Sequence, residues 1–336
     1  MHGRSLYFTG RETVELRSRR VDPTREEVVI ETSVSAISAG TELLMYRGEA
    51  PSDLPADETL DALDGDLSYP LRYGYAAVGD VVETGTAVDD DWLGQTALAF
   101  NPHETRFTAT PSALVPVPDD LTPTEMTLYP PAETATTLIL DGRPRIGERV
   151  VVFGAGVIGL CTVAQLSSFP LSELVVVEPL ADRREQALTL GADDAVTPDA
   201  FSPARWSDAA GAAGADLVYE LSGQPDALDD AVDAAGYDGR VVVGSWYGTK
   251  STTLDLGRDF HRDRVSVVSS QVSTLDPEVR GRWTRERRSE AALDGLATLP
   301  ADLLITHRIP IEEAAKAYRL IDQRRDGALQ VLFEYP

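Results

Sequence analysis

Val150-Val151-Val152-Phe153-Gly154-Ala155-Gly156-Val157-Ile158-Gly159 opens the stretch that decides the fold; an apolar run to Ser168, a break at Pro170 and Leu174-Val175-Val176-Val177-Glu178 complete it. A buried strand, a glycine turn, a helix and a second buried strand ending in a carboxylate form a dinucleotide-binding βαβ unit. Gly154 allows the tight turn, Gly156 lets backbone approach a pyrophosphate, and Gly159 lets the helix pack against the strand. Phosphates would meet free N–H groups at the positive end of the helix dipole. Glu178 is placed to accept from both ribose hydroxyls and to repel a 2′-phosphate, which favours NAD over NADP. Arg183 and Arg184 stand close enough to accommodate that phosphate instead.

Outward from this unit the chain changes character twice. Before it, Thr13-Val14-Glu15-Leu16, Glu27-Val28-Val29-Ile30-Glu31, Val78-Gly79-Asp80-Val81-Val82-Glu83, Gly94 to Ala99 and Ala113 to Pro118 read as short strands. The acidic segment from Glu49 to Asp66 reads as a surface loop with one helical turn. Around it, Pro123 to Asp141, Asp182 to Leu190 and Pro225 to Ala235 read as helices, the last two stopped by Gly191 and Gly236. Asp216 to Tyr219, Arg240 to Gly244 and Val265 to Val268 read as buried strands, and the alternation implies a doubly wound parallel sheet. Pro277 to about Leu299 reads as one long Arg-rich helix. A strand near Leu303-Leu304-Ile305, a helix from Ile311 to Asp322 and a strand from Ala328 to Phe333 follow. The fold class is therefore α/β, a Rossmann sheet plus a β-rich domain: residues 1–121 and 300–336 form the β-rich domain, residues 122–299 the dinucleotide-binding one.

At 336 residues the chain is long enough for two cores. It has no apolar run of spanning length, and Met1-His2-Gly3-Arg4-Ser5 lacks a signal-peptide core, so a cytoplasmic protein is expected. Cys161, the single cysteine, excludes an intrachain disulfide and sits in an apolar helix as a core residue. The net charge is −25, and Lys250 and Lys316 are the only lysines. Such a surface excludes nucleic acid and anionic membranes as partners. Its many short acidic clusters point to adaptation to molar salt, where screening shortens to about 3 Å.

Several motifs resemble the medium-chain dehydrogenase/reductase superfamily over nearly the whole chain. They are Gly40-Thr41-Glu42, Gly74-Tyr75-Ala76 with Val78 to Gly85, the Gly154 to Gly159 loop, Arg183 through Asp193, Glu220-Leu221-Ser222-Gly223 and Thr306-His307-Arg308. Phe260 to Arg264, Ser269-Ser270-Gln271-Val272 and Arg282-Trp283-Thr284 resemble its zinc-type branch containing bacteriochlorophyllide dehydrogenase-like proteins. The resemblance implies a GroES-like β-rich catalytic domain, a small-molecule substrate in the interdomain cleft, and a homodimer or homotetramer built on the strand after Val265. It also exposes departures. Ala39-Gly40-Thr41-Glu42 stands where catalytic-zinc members carry Cys-Gly-Thr-Asp, and Gly74-Tyr75-Ala76 where they carry Gly-His-Glu. Zinc needs three Cys, His or carboxylate ligands, so no metal is expected, and Glu133 alone cannot hold one.

The resemblance assigns Thr41 a proton-relay hydroxyl, with Tyr75 pointing into the same cleft either as a second donor or as an aromatic plug. Gly154, Gly156, Val157, Ile158, Gly159, Glu178 and Arg183 should contact the cofactor. So should Ser222, Gly223, Gly244, Ser245, Ser269 and Ser270, at carboxyl ends of parallel strands. Trp246 and Tyr247 can equally be packing residues. Of the histidines, His103 is expected to face the cleft, His261 to contact substrate or a partner subunit, and His307 to sit at a strand end. The function implied is zinc-independent, NAD(P)-dependent hydride transfer to or from an alcohol or carbonyl. Its rivals are a zinc-free enone or quinone reductase and a nucleotide-binding protein without catalysis.

Overall fold

β-Formers and tight turns dominate the first third of the chain. A hairpin pairs β1 (His2–Gly10) with β2 (Thr13–Arg20), and Glu12 in its turn adopts a left-handed φ of 55°. Then come β3 (Val28–Ala36), α1 (Ala39–Arg47), β4 (Ala77–Thr84), β5 (Thr96–Ala99), β6 (Arg106–Ala109), β7 (Leu114–Pro116) and the short α2 (Pro123–Met126). Helix α1 is not apparent in a reading of this region as strands and turns. The segment 49–66 forms no helical turn, and Ala56, Leu63 and Leu67 are buried in the same cluster as Phe8 and Tyr318. Asp53, Glu58, Asp61, Asp64 and Asp66 face water while Ala56 and Leu63 join the core, so it is a packed loop, not a purely surface one.

From α3 (Tyr129–Gly142) the period changes. β8 (Arg149–Phe153), α4 (Val157–Leu166), β9 (Glu173–Val177), α5 (Ala181–Thr189) and β10 (Asp194–Val196) are followed by β11 (Ala215–Glu220), α6 (Asp226–Ala234), β12 (Ala235–Val243), α7 (Asp259–Arg262), β13 (Ser266–Ser269) and α8 (Arg285–Ala297). The strands form one parallel sheet in the order β10-β9-β8-β11-β12-β13. Val151, Val175, Val218 and Val241 fill one side of it. Such β-branched runs, covered on both faces by helices, give a doubly wound α/β layer.

Three expectations change in this region. Gly236 does not stop a helix; it lies inside β12, where a Cβ would stand 2.6 Å from the Ala213 carbonyl oxygen, so glycine is what lets the strand start so close to its neighbour. The helix expected from Pro277 begins at Arg285, because Thr284 caps it by accepting from the Arg287 amide. β13 is not buried: all four of its residues are exposed, since it is the edge of the sheet.

The last segment contains α9 (Ala301–Leu304), β14 (Ile305–Pro310), α10 (Ala314–Asp322) and β15 (Gln330–Glu334). Leu303 and Leu304 are helical, so the expected strand starts only at Ile305, and His307 lies within β14 and not at its end. β15 lies between β14 and β3 in a seven-stranded sheet ordered β14-β15-β3-β4-β5-β7, with β6 also on β3. The computed structural model describes residues 1–207, 213–323 and 327–336, which divide into Met1–Pro130 with Pro300–Pro336, and Pro131–Leu299. Among the described residues no helix is long and apolar enough to cross a membrane.

Candidate active site

The glycine loop joins β8 to α4. Gly154 has φ +94°, and a Cβ there would stand 2.7 Å from Ser222 Cα, so the turn admits no side chain. A Cβ on Gly159 would stand 2.0 Å from the Gly154 carbonyl oxygen, which ties helix to strand. Gly156 is different: it is the N-cap of α4, makes no side-chain cap bond, and a Cβ on it would meet nothing. A helix N-terminus without a capping side chain, beside open space, fits an incoming phosphate. Val157 and Ile158 are the first residues of that helix and half-buried. Glu178 follows β9 and is buried; Oε2 accepts from the Ala155 amide at 2.8 Å and Oε1 from the Leu180 amide at 3.0 Å. Each oxygen keeps lone-pair capacity for a ribose hydroxyl. Arg184 spends one guanidinium nitrogen on the carbonyls of Glu178 and Pro179, 2.9 and 2.7 Å away, while Arg183 lies half-buried in the first turn of α5.

The other expected cofactor residues lie at or just beyond the carboxyl ends of β11, β12 and β13. Ser245 Oγ accepts from the Gly223 amide at 2.9 Å and links two strand ends. Buried Glu220 accepts from the Ser222 amide at 2.8 Å and from the Ser222 and Tyr247 hydroxyls. Tyr247 therefore has a bonding role as well as packing, and its phenol is held well above its ordinary value by burial and by that carboxylate. Gly244 leaves room for Leu221 and Leu138, whose methyl carbons a Cβ would approach to 2.6 and 2.8 Å. Ser269 ends β13, exposed, and Ser270 donates its hydroxyl to Asp141 at 2.6 Å. Lys250 donates to the Gly223 carbonyl at 3.0 Å, an anchor that the sequence reading missed.

Thr41 and Tyr75 come together. Tyr75 OH lies 3.2 Å from Thr41 Oγ1 and in hydrogen-bond contact with Ser38 Oγ, a residue the sequence motifs do not single out. The Tyr75 ring packs edge-on to Tyr73, centroids 6.3 Å apart, so it fills space while its hydroxyl points at two others. Burial raises the phenol above its ordinary value, the Ser38 and Thr41 bonds oppose the rise, and Glu42 and Asp57 add to it. Gly74, at φ +123°, would place a Cβ 2.9 Å from His103 Nε2.

Below these hydroxyls, fully buried His103 does not face open space as expected. Its Nε2 is 3.0 Å from Glu42 Oε2, and its Nδ1 is 2.7 Å from Ser35 Oγ, which in turn bonds Tyr335 OH at 2.8 Å. Tyr318 also donates to Glu42, whose other oxygen accepts from the Ser38 amide at 2.7 Å. With both ring nitrogens bonded, one to the Glu42 carboxylate and one to the Ser35 hydroxyl, every member of this network has a partner, which is what burial demands. The sequence hid this because the partners are far apart in the chain.

Ala39 opens α1 with no donor atom, and Glu133 is buried and paired with Arg288 at 2.7 Å. His261 is exposed in α7, and His307 Nδ1 bonds its neighbour Thr306 at 2.9 Å. Among the described residues no three His, Cys, Asp or Glu side chains are grouped to hold a metal ion. Burial pushes the Cys161 thiol up to about 12, an unreactive core group.

A parallel sheet with a glycine turn at its centre and a separate β-rich unit carrying donor hydroxyls defines a Rossmann-type oxidoreductase. A family model for zinc-binding dehydrogenases matches residues 157–285. D-guloside 3-dehydrogenase of Escherichia coli K12 is 26% identical over 321 residues, covering 91% of this chain and 92% of the relative. A solved 2R,3R-butanediol dehydrogenase from Bacillus subtilis superposes with a TM-score of 0.79 at 19% identity, covering 99% of both chains. An Escherichia coli alcohol dehydrogenase complexed with NADH also gives 0.79, at 17% identity and 99% coverage of both. These matches support a dehydrogenase similar to the alcohol dehydrogenase-like members of the medium-chain dehydrogenase/reductase superfamily.

Proposed function

We propose that this enzyme moves hydride between a nicotinamide dinucleotide and an alcohol or carbonyl, without zinc, and that NAD is preferred. The observation that carries the reading is the convergence of the Thr41 and Tyr75 hydroxyls at positions where zinc-dependent relatives hold metal ligands and a relay hydroxyl. The residues present do not fit zinc: Ala39 has no donor, and Tyr75 has turned its oxygen to Ser38 and Thr41. The bound nicotinamide would supply the hydride-carrying carbon. The Gly154 to Gly159 backbone would hold its pyrophosphate and Glu178 its ribose, with Arg184 already engaged by carbonyl oxygens. Tyr75, neutral because burial raises it, would give its proton to the substrate oxygen in reduction, and Thr41 would share the developing negative charge.

Sorbitol, butanediol and threonine, the substrates in the relatives' names, are the first compounds to try, with matching ketones and with cyclohexenone. NADH or NADPH oxidation with ketones, unaffected by a chelator and with well under one zinc per chain, is the expected outcome. Stoichiometric zinc would overturn the metal-free reading. Turnover of the enone alone would favour double-bond reduction, and cofactor binding with no turnover a non-catalytic role. The reading extends to a cytoplasmic homodimer or homotetramer working at high salt, supported by the exposed edge β13 and the charge of −25.

A further inference from the structure

We propose that Ser38 is a positioning residue for Tyr75: its hydroxyl stabilises the phenolate that remains once Tyr75 has given up its proton. This rests on the reading of Tyr75 as the proton donor. Ser38 is the N-cap of α1, the place where a serine oxygen ordinarily accepts from an amide of the first turn. Here it makes no cap bond. The hydroxyl is turned to Tyr75 OH instead, and Thr41, one turn into the same helix, converges on that oxygen from 3.2 Å. The capping geometry is kept by another group, because Glu42 Oε1 accepts from the Ser38 amide at 2.7 Å. A helix that forgoes its serine cap while a carboxylate holds the backbone in place has freed that hydroxyl for one partner.

The proton balance is simple. In reduction the substrate carbon gains hydride from the reduced nicotinamide, and its oxygen gains the Tyr75 proton. The phenolate oxygen then accepts from the Ser38 and Thr41 hydroxyls until water reprotonates it. Around it stand Tyr73, whose ring packs on that of Tyr75, and the carboxylates of Glu42 and Asp57, which oppose a phenolate. With like charge on that side, hydroxyl donors are the groups left to favour ionisation. Because Ser38 does not cap α1, Ser38→Ala removes this bond without removing a cap, and the variant should fold.

The test compares wild type, Ser38→Ala and Ser38→Thr, labelled with 13C at the tyrosine Cζ and assigned by Tyr75→Phe. The Tyr75 resonance should move in Ser38→Ala and return in Ser38→Thr. An unchanged resonance overturns the proposal. With any ketone that turns over, Ser38→Ala should lower kcat roughly tenfold at constant KM, the loss of one hydrogen bond to a charged group. Since reduction needs the protonated phenol, activity is lost as pH rises through the Tyr75 pKa, and that alkaline limb should move upward in Ser38→Ala. Unchanged kcat and an unmoved limb overturn the proposal. If no compound turns over, the functional reading fails, and the resonance still decides whether Ser38 governs the phenol.

Discussion

Glu178 shows how one side chain serves loop and ligand together. Its oxygens accept from the Ala155 and Leu180 amides, so it fixes the glycine loop before any cofactor arrives. Glu178→Ala should therefore act twice. It should erode a preference for NADH over NADPH, each tenfold being about 1.4 kcal/mol. It should also lower stability by about 1–3 kcal/mol, because two amides lose their acceptor. Titrations with both cofactors and a urea melt check the two effects separately. An unchanged cofactor ratio would mean that Arg183 and Arg184 govern the choice. At this scale the glycine loop was legible because its spacing and its valine runs are local signals. Ser38 and His103 were not, since their partners, Tyr75 and Glu42, are remote in sequence.

Among elements, the parallel sheet could be read from alternating valine-rich runs and helices, and α1 could not. Its burial of Glu42, Leu44, Met45 and Tyr46 is set by tertiary packing and leaves no clean apolar stripe. Helix α8 announced its start through Thr284, a cap signal overshadowed by the arginine-rich stretch before it. This helix is joined to α3 by the buried pair of Arg288 and Glu133, and Arg288 also donates to the Val272 carbonyl beyond β13. Arg288→Met would remove the guanidinium from the buried Glu133 carboxylate, a cost of about 3–5 kcal/mol. Adding Glu133→Gln should recover part of it, measurable as a rise in melting temperature. β13 presents its backbone edge with Val267 and Val268 exposed at 39% and 44%. An uncovered apolar edge favours pairing with a second copy across a two-fold axis. Light scattering at working salt should therefore give a dimer or tetramer, and a monomer at micromolar concentration would sink that expectation.

For the whole molecule, 55 acidic against 30 basic side chains make self-repulsion the dominant long-range term. Thermal unfolding should move to higher temperature as KCl rises from millimolar to molar, and equal stability at both would remove the case for salt adaptation. The interrupted path of the chain carries a different consequence. β15 supplies Val331 and Phe333 to the core around Phe8 and pairs with β3, yet it is translated after the whole of Pro131–Leu299. Tyr318 and Tyr335, which hold Glu42 and Ser35, come from the same segment. On the ribosome, Pro131–Leu299 can finish folding while the residues before Pro130 still wait for their closing strand. A chain ending at Leu299 should give a protease-resistant fragment from its later part and a readily cleaved earlier part; protection of both would show that the opening sheet closes unaided. The hydroxyls proposed for proton transfer would then settle only after the nucleotide site of the newborn protein has formed.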